Sequence, residues 1–529
     1  MPVVQTAELS REAPLSPGQH HQVYCGLDSC VTLEIYESVL RQHQPPAIYD
    51  FERALQGPYL DMMQRGFLVD ELTRRQVAAE LEGRLEALRD SLDDLARAVW
   101  DLGLNPRSPK QLQEFFYSKL HLPEIWISQK GERKLSLNRE VLEKLDQLYL
   151  FARPFVRHIL AIRDLAKQHE VFTTEIDGDG RFRTSYNIAG TETGRPSSSS
   201  NAYGTGGNAQ NIRPSLRYVF VADPGKKLCV IDLEQVEARD VGFFCGCLFD
   251  DWTFLDACES GDLHTANSRL IWPELGWTGD LKKDKELAGR LFYRDFTYRD
   301  MSKRGGHLSN YMGTAWTASR HLKVPLPMME EFQARYCRGG TIGGRAVEPA
   351  YPAIPRYWQW IAQQLQTTYS LTTPFGRQRH FFGRPGDDTT LREAIAFVPQ
   401  STTADRMNLG LWRLWRHFGT RIELLAQTYD SVTFQYSEDE DEQALVTKAL
   451  ELIQIPLVAP NGRLYVVPGE AKTGWNWGAE VLPADQEKAR KQGKQVPRLN
   501  PGGLAKWTPG RADARKRAVG LARLMAPRP

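Results

Sequence analysis

The segment Val230–Asp240, VIDLEQVEARD, constrains this chain more than any other stretch. An apolar run, LCVI, ends on Asp232, and Glu234, Glu237 and Arg239 follow at once. Acids are rarely buried without a partner or a metal. Two readings fit the break. A buried strand surfaces into a polar turn, or a strand end presents a metal-binding acid. The choice between them depends on whether other parts of the chain supply matching chemistry.

A chain of 529 residues exceeds one ordinary core and predicts two to four domains or subdomains. The apolar and charged fractions are those of a globular protein. No apolar run approaches the roughly 20 residues of a membrane span, so no membrane partner is expected. The N-terminal residues carry no basic-then-apolar signal pattern. None of the seven cysteines forms a CxxC pair, and Cys245 and Cys247 sit in the apolar run FFCGCLF as small core residues. These features suit a reducing cytoplasm. The net charge of +2 excludes little, because positive charge can be local. It concentrates after Trp477, in KARKQGKQVPRLNPGG and RADARKRAVGLARLMAPRP, which reads as a flexible basic tail. Such a tail is either a solvated terminus or a non-specific attractor of phosphate backbones.

Residues 71–100 repeat apolar positions at helical spacing and predict one long amphipathic helix. Ser108 is a candidate cap for the next helix, and 138–170 continues helical. The Gly/Ser/Asn/Thr-rich stretch 181–215 has little period, and its spaced Arg183, Arg195, Arg213 and Arg217 favour a functional loop. KKLCVIDL reads as a strand, 251–370 as mostly helix, and TPFGRQRHFF and LLAQTYDSVTFQY as strands. The order implies an α+β fold with a large helical insertion.

A second acid stands out within AQTYDSVTFQY. Asp430 is out of place in a strand, yet suits a hairpin turn flanked by Gln427 and Ser431. If Asp232 and Asp430 share a site, their carboxylates suit hard divalent ions such as Mg²⁺, and a pair of ions serves phosphoryl chemistry. Cations for a triphosphate occur in YRDMSKRGGHLSNYMG, where Arg299, Lys303, His307 and Tyr311 recur every four residues and form one slanted helical stripe. Gly305 and Gly306 count against a regular helix there, at roughly 1 kcal/mol each.

Taken together, these segments resemble the family A, DNA polymerase I-like, DNA polymerases of bacterial or phage type. DLEQVEAR at 232–239 is similar to motif A, RDMSKRGGHLSNYMG at 299–313 to motif B, and TYDS at 428–431 occupies the place of motif C. TETGRPSS, QNIRP, GDLHT, PFGRQR, REAIAFVPQSTTAD and GWNWG follow in the family's order. The resemblance implies a right-hand polymerase fold, an antiparallel-sheet palm with helical fingers and thumb. Its divisions would be a remnant of the 3′→5′ exonuclease domain at 1–48, thumb at 49–190, palm at 191–250 and 371–481, fingers at 251–370, and the basic tail at 482–529.

The same resemblance implies template-directed addition of deoxynucleotides to a primer. Asp232 and Asp430, with the Leu233 carbonyl, would hold two Mg²⁺, for which Mn²⁺ could substitute. His264, Arg299, Lys303, His307 and Tyr311 would bind the dNTP, with Glu237 as the steric gate against ribose. Arg195, Asn211, Arg392 and Gln400 would track primer and template. For single residues a plainer role stands beside this one: Arg392 pairing with an acid, Gln400 capping a helix. Departures are His307 for Phe or Tyr, Met312 between Tyr311 and Gly313, Ala396 for Asn, Glu234 for Ser, and Tyr429 and Ser431 in place of the motif C His and Glu.

Tyr24 and Asp28 are similar to the last motif of the proofreading exonuclease, but too little sequence precedes them for the rest of that site. The expectation is a helix docked on the polymerase, no proofreading by this chain alone, and a separate exonuclease polypeptide or a processivity factor as candidate partners. The site of action would be the cytoplasm, that of a bacterial host if the chain is phage-encoded. Competing readings are a single-subunit RNA polymerase or reverse transcriptase, and a catalytically impaired nucleic-acid-binding protein.

Overall fold

The computed structural model describes residues 16–42, 47–129, 132–201, 203–294, 296–491 and 495–509. A five-stranded antiparallel sheet organises the chain. Its strands are β1 (Lys226–Leu233), β2 (Ile422–Thr428), β3 (Ser431–Ser437), β4 (Gly469–Gly474) and β5 (Ala505–Lys506), in the order β2-β3-β1-β4-β5. Strand β1 is central, which explains its nearly unbroken apolar run, because both of its faces are covered. Cys229, Ile231 and Leu233 enter one hydrophobic cluster. Leu228 enters the other, and Val230 packs against it. The strand period of two thus distributes one sequence between two cores.

The first core joins the sheet to the helices that follow it in sequence: α5 (Val236–Phe249), α6 (Leu263–Ile271), α7 (Tyr298–Asn310), α8 (Ala315–Leu322) and α9 (Asp388–Phe418). The second lies under the helices ahead of the sheet: α2 (Glu71–Trp100), α3 (Arg139–Leu148) and α4 (Arg153–Thr173). The long amphipathic pattern forms α2 over the span its periodicity predicts, capped by the Asp70 side chain on Thr73 N. Ser108 caps the following helix as expected, accepting from Gln111 N.

Three expectations change. Helix α7 runs straight through Gly305 and Gly306, with a capping box of Thr297 and Asp300 at its start. A Cβ at Gly305 would lie 2.7 Å from the Phe332 ring, and one at Gly306 3.1 Å from the Tyr336 hydroxyl. The glycines let a neighbouring helix approach, and that packing offsets their low propensity.

The stretch from 482 is not wholly a flexible tail. Helix α10 (Pro483–Lys491) forms there, and β5 pairs with the sheet, with Lys472 opposite Lys506 and Trp507 N donating to Ala471 O at 2.8 Å. Its basic composition is balanced there, since Lys506 pairs with Glu470 at 2.8 Å. Residues 510–529, which hold the second basic run, lie outside the described residues.

Finally, helix α1 (Pro17–Gln42) is not docked: no described side chain between 16 and 39 is buried. Tyr24 is 62% exposed, and Val31, Leu33, Ile35 and Val39 also face solvent.

Candidate active site

Residues Tyr429 and Asp430 form a two-residue turn between β2 and β3, with Thr428 opposite Ser431. Tyr429 takes a left-handed conformation, φ +55°, which suits the twist of a tight hairpin. Asp430 is therefore a turn residue, and the turn sets it against the end of β1. Ser431 lies opposite Asp232 in the ladder, and Leu233 N donates to Asp430 O at 3.0 Å. Two segments about 200 positions apart in sequence thus deliver two carboxylates to one end of the sheet's strands.

Burial, and then the neighbouring Asp430 charge, push the Asp232 carboxyl up to about 7. Burial also raises Asp430, reinforced by Glu237 and opposed by Arg195. Another acid of the opening stretch shows the contrast. Asp240 is fully buried, but Arg406, Thr403 and Tyr465 all donate to it at 2.8–3.0 Å. Asp232 and Asp430 have no such clamp. Half-buried carboxylates without a paired cation among the described residues, beside a backbone carbonyl, form a donor set that suits a hard divalent ion. Among the described residues no group of three or more His, Cys, Asp or Glu could hold a metal.

A pocket of about 440 Å³ opens beside Asp430. It is lined by His264 of α6, Lys303 and His307 of α7, Glu237 of α5, Gln400 of α9 and Arg195. Arg299 is held back by Asp262, with Nε and Nη2 donating at 3.2 Å to its two oxygens. Burial, and then Arg299, lower His264 to about 4, so its ring is neutral at pH 7. Its Nδ1 is buried without a partner.

Glu237 is fixed from two sides. Arg195 pairs with one carboxylate oxygen, and the Tyr311 hydroxyl donates to the other at 2.7 Å. Tyr311 ends α7, with its ring 5.2 Å from that of His307. Met312 then adopts φ +58°, a conformation that glycine takes without cost. This is how the chain accommodates a Met there, and Gly313 N closes the turn on Leu308 O at 2.9 Å.

Other candidates lie elsewhere. Arg392, near the start of α9, pairs with Asp388 at 2.6 Å and lines a different cavity. Gln400 is inside α9 and caps nothing. Asn211 lines a groove against α4, where its carbonyl accepts from Gln168 Nε2 at 3.3 Å. Tyr24 and Asp28 stand on the exposed α1, away from any assembled site. Of the four spaced arginines, Arg183 is tied to Asp177 and Asp179, and Arg217 stacks 4.3 Å over Trp477.

Two residues escaped sequence reasoning. Gln235 lines the pocket with Oε1 buried and unpartnered, at φ +53°. Its signal was its place in the middle of motif A. Glu470 stands directly opposite Asp232 on β4, held by Lys506 and Lys472. Only the strand register reveals it. The carboxylate flanking Asp232 in the sheet is thus Glu470, on the side away from Ser431.

Residues 72–272 match the model of DNA polymerase family A. DNA polymerase I of Helicobacter pylori strain J99 is 25% identical over 434 residues, 77% of this chain and 42% of that protein. DNA polymerase I of Chloroflexus aurantiacus is 26% identical over 472 residues, 84% of this chain and 45% of that protein. By sequence and by fold, this chain is similar to the family A DNA polymerases. The POL domain of Pol1 from M. smegmatis, solved in complex with DNA primer-template and dNTP, superposes with a TM-score of 0.61 at 21% identity. The match covers 80% of this chain and 69% of that one, and it supports the right-hand α+β fold. The chain spans less than half the length of the curated family members it matches. Among the described residues no helix is long and apolar enough to cross a membrane.

Proposed function

We propose that this chain is a template-directed DNA polymerase that extends a primer 3′ end with deoxynucleotides. The observation that carries this reading is the meeting of Asp232 and Asp430 at one end of the sheet's strands, beside a pocket lined by Lys303 and His264. The relatives are named as DNA polymerase I, and the structural neighbour holds primer-template and dNTP. Here the thumb is assigned to 49–190, the fingers to 251–370, and the palm to 191–250 and 371–481 extended by β5.

Asp232, Asp430 and the Leu233 carbonyl would hold two Mg²⁺, which activate the primer hydroxyl and stabilise the leaving oxygen when bound. The rest of the chemistry is positioning and electrostatics. Lys303 brings a positive charge to the triphosphate, and a neutral His264 offers a hydrogen bond. Arg299 reaches the triphosphate by exchanging Asp262 for it. Glu237, locked by Arg195 and Tyr311, presents a fixed wall where a ribose 2′-hydroxyl would project. Gln400 and Arg195 face the same pocket and would contact the terminal base pair. Minor-groove acceptors there are nearly independent of sequence, as copying requires.

The test is extension of a primed template with Mg²⁺ and four dNTPs, run beside four rNTPs. Extension with dNTPs alone is expected. Template binding without extension would favour an impaired binding protein, and extension with rNTPs would favour an RNA polymerase.

A further inference from the structure

Asp232 has two neighbours in the sheet, and they differ in charge. Ser431 lies opposite it on β3, and Glu470 on β4. Partners directly opposite in an antiparallel pair project on one face, with Cβ atoms about 4.5–5.5 Å apart, and like charges so placed repel. Glu470 is therefore an acid within reach of the Asp232 carboxylate and of any ion it holds. After burial and Asp430, Lys472 and Glu470 act on that carboxyl in opposite senses. Yet the three acids do not converge, since among the described residues no group of three or more His, Cys, Asp or Glu could hold a metal.

Two lysines account for this. Lys472 Nζ lies 3.2 Å from one Glu470 oxygen, and Lys506 Nζ lies 2.8 Å from the other. Lys472 and Lys506 are themselves opposite each other, on β4 and β5. Two cations in that register repel unless an anion sits between them, so the three side chains require one another. Strand β4 lies between β1 and β5. The bond to Lys506 thus draws the Glu470 carboxylate away from β1 and from Asp232.

Lys506 is put there by contacts that leave little freedom. Ala505 and Lys506 pair with Thr473 and Lys472. Leu504 N donates to Gly478 O at 2.6 Å, and Trp475 N to Gly502 O at 2.7 Å. Asn476 and Asn500 exchange side-chain amide bonds at 2.7 and 3.0 Å. A Cβ at Gly474 would lie 2.5 Å from Gly503 O, so the two backbones meet where only glycine fits. The segment that makes these contacts follows GWNWG, the last of the family-like stretches. Its lysine therefore reaches the site from outside the motifs that pointed to it.

We propose that Lys506 is a positioning residue of the candidate active site: with Lys472 it holds Glu470 toward β5 and so leaves the divalent ions to Asp232 and Asp430. Lys506 acts on the ions only through Glu470. The inference rests on the metal-site part of the polymerase reading.

The test uses the full chain and Mn²⁺, with the free ion read by electron paramagnetic resonance. The proteins are wild type, Asp232→Asn, Lys506→Ala, Lys506→Arg, Glu470→Gln and the double variant Lys506→Ala/Glu470→Gln. Wild type should bind Mn²⁺ in a manner that Asp232→Asn removes. The Lys506 side chain is 61% exposed, so its truncation leaves the fold intact. Lys506→Ala should tighten Mn²⁺ binding on the order of 3- to 10-fold, because the released carboxylate adds its charge to the site. Loosening of β5 alone would weaken binding or spare it. Lys506→Arg should keep the wild-type affinity. In the Glu470→Gln background, Lys506→Ala should change affinity less than about 2-fold, since an exposed ammonium is screened by solvent.

No tightening, equal tightening by Lys506→Arg, or the same change with and without Glu470 would overturn the assignment, as would Mn²⁺ binding indifferent to Asp232→Asn. Primer extension by the same wild-type preparation separates the two ideas. Extension with an affinity unmoved by Lys506→Ala rejects only the role of Lys506. No extension rejects the polymerase reading, while the Asp232-dependent Mn²⁺ binding still decides the role of Lys506.

Discussion

Two basic regions line cavities of this chain, and they are built in opposite ways. The first is one helical stripe: Arg299, Lys303 and His307 fall every four residues on α7. The second is assembled from segments near residues 139–157, 316–323 and 392, none basic enough alone to attract notice. The first sits beside paired carboxylates, and the second beside an exposed indole. The difference teaches that a site carried on one element leaves a period in the sequence, whereas a site between elements leaves none.

Substitutions should divide accordingly. The largest effect is expected at the carboxylates next to the first region. Asp232→Asn or Asp430→Asn should lower single-turnover incorporation on the order of 1,000-fold or more, because each removes a charge placed for the transition state, while circular dichroism stays native. Next, Lys303→Ala should cost about 100-fold in kcat/KM for dNTP without changing affinity for a primed duplex. A matching loss of duplex affinity would erase the distinction between the regions.

Glu237→Ala should narrow the preference for dNTP over rNTP by about 10- to 100-fold. The measurement is competitive incorporation at the pocket, and an unchanged ratio would mean that Glu237 does not judge the sugar. The smallest effect concerns the environment of the first region. His264 is held near 4 by burial and by Arg299, below the ordinary value of about 6.5. The unfolded chain therefore binds more protons between those values, and His264 lowers stability as pH falls from 6.5 toward 4. His264→Gln should flatten that part of the stability profile in denaturant titrations at stepped pH. A profile unchanged by the substitution would place His264 in a more solvated setting than the structure gives it.

Much of the first region was legible because its signals are local. The strand ending on Asp232, the hairpin at Asp430 and the α7 stripe each lie within a dozen residues. What local reading missed depends on partners distant in the chain. Gly305 and Gly306 argue against a helix until Phe332 and Tyr336 are seen to need the space. The basic composition of 482–509 reads as tail until Lys506 meets Glu470. Arg392 belongs by family pattern with primer and template, but its place in a cavity with Arg139, Arg157 and Trp316 follows from packing. Asp232 and Asp240 look alike in VIDLEQVEARD, yet Arg406 neutralises only Asp240. Which acid is structural was not readable within the stretch.

The most direct measurement is single-turnover addition of one dNTP to a primed template across a Mg²⁺ titration, for wild type and Asp430→Asn. The account predicts Mg²⁺-dependent addition by wild type, and addition by Asp430→Asn at least about 1,000-fold slower at every Mg²⁺ concentration. Addition by Asp430→Asn at the wild-type rate would contradict it.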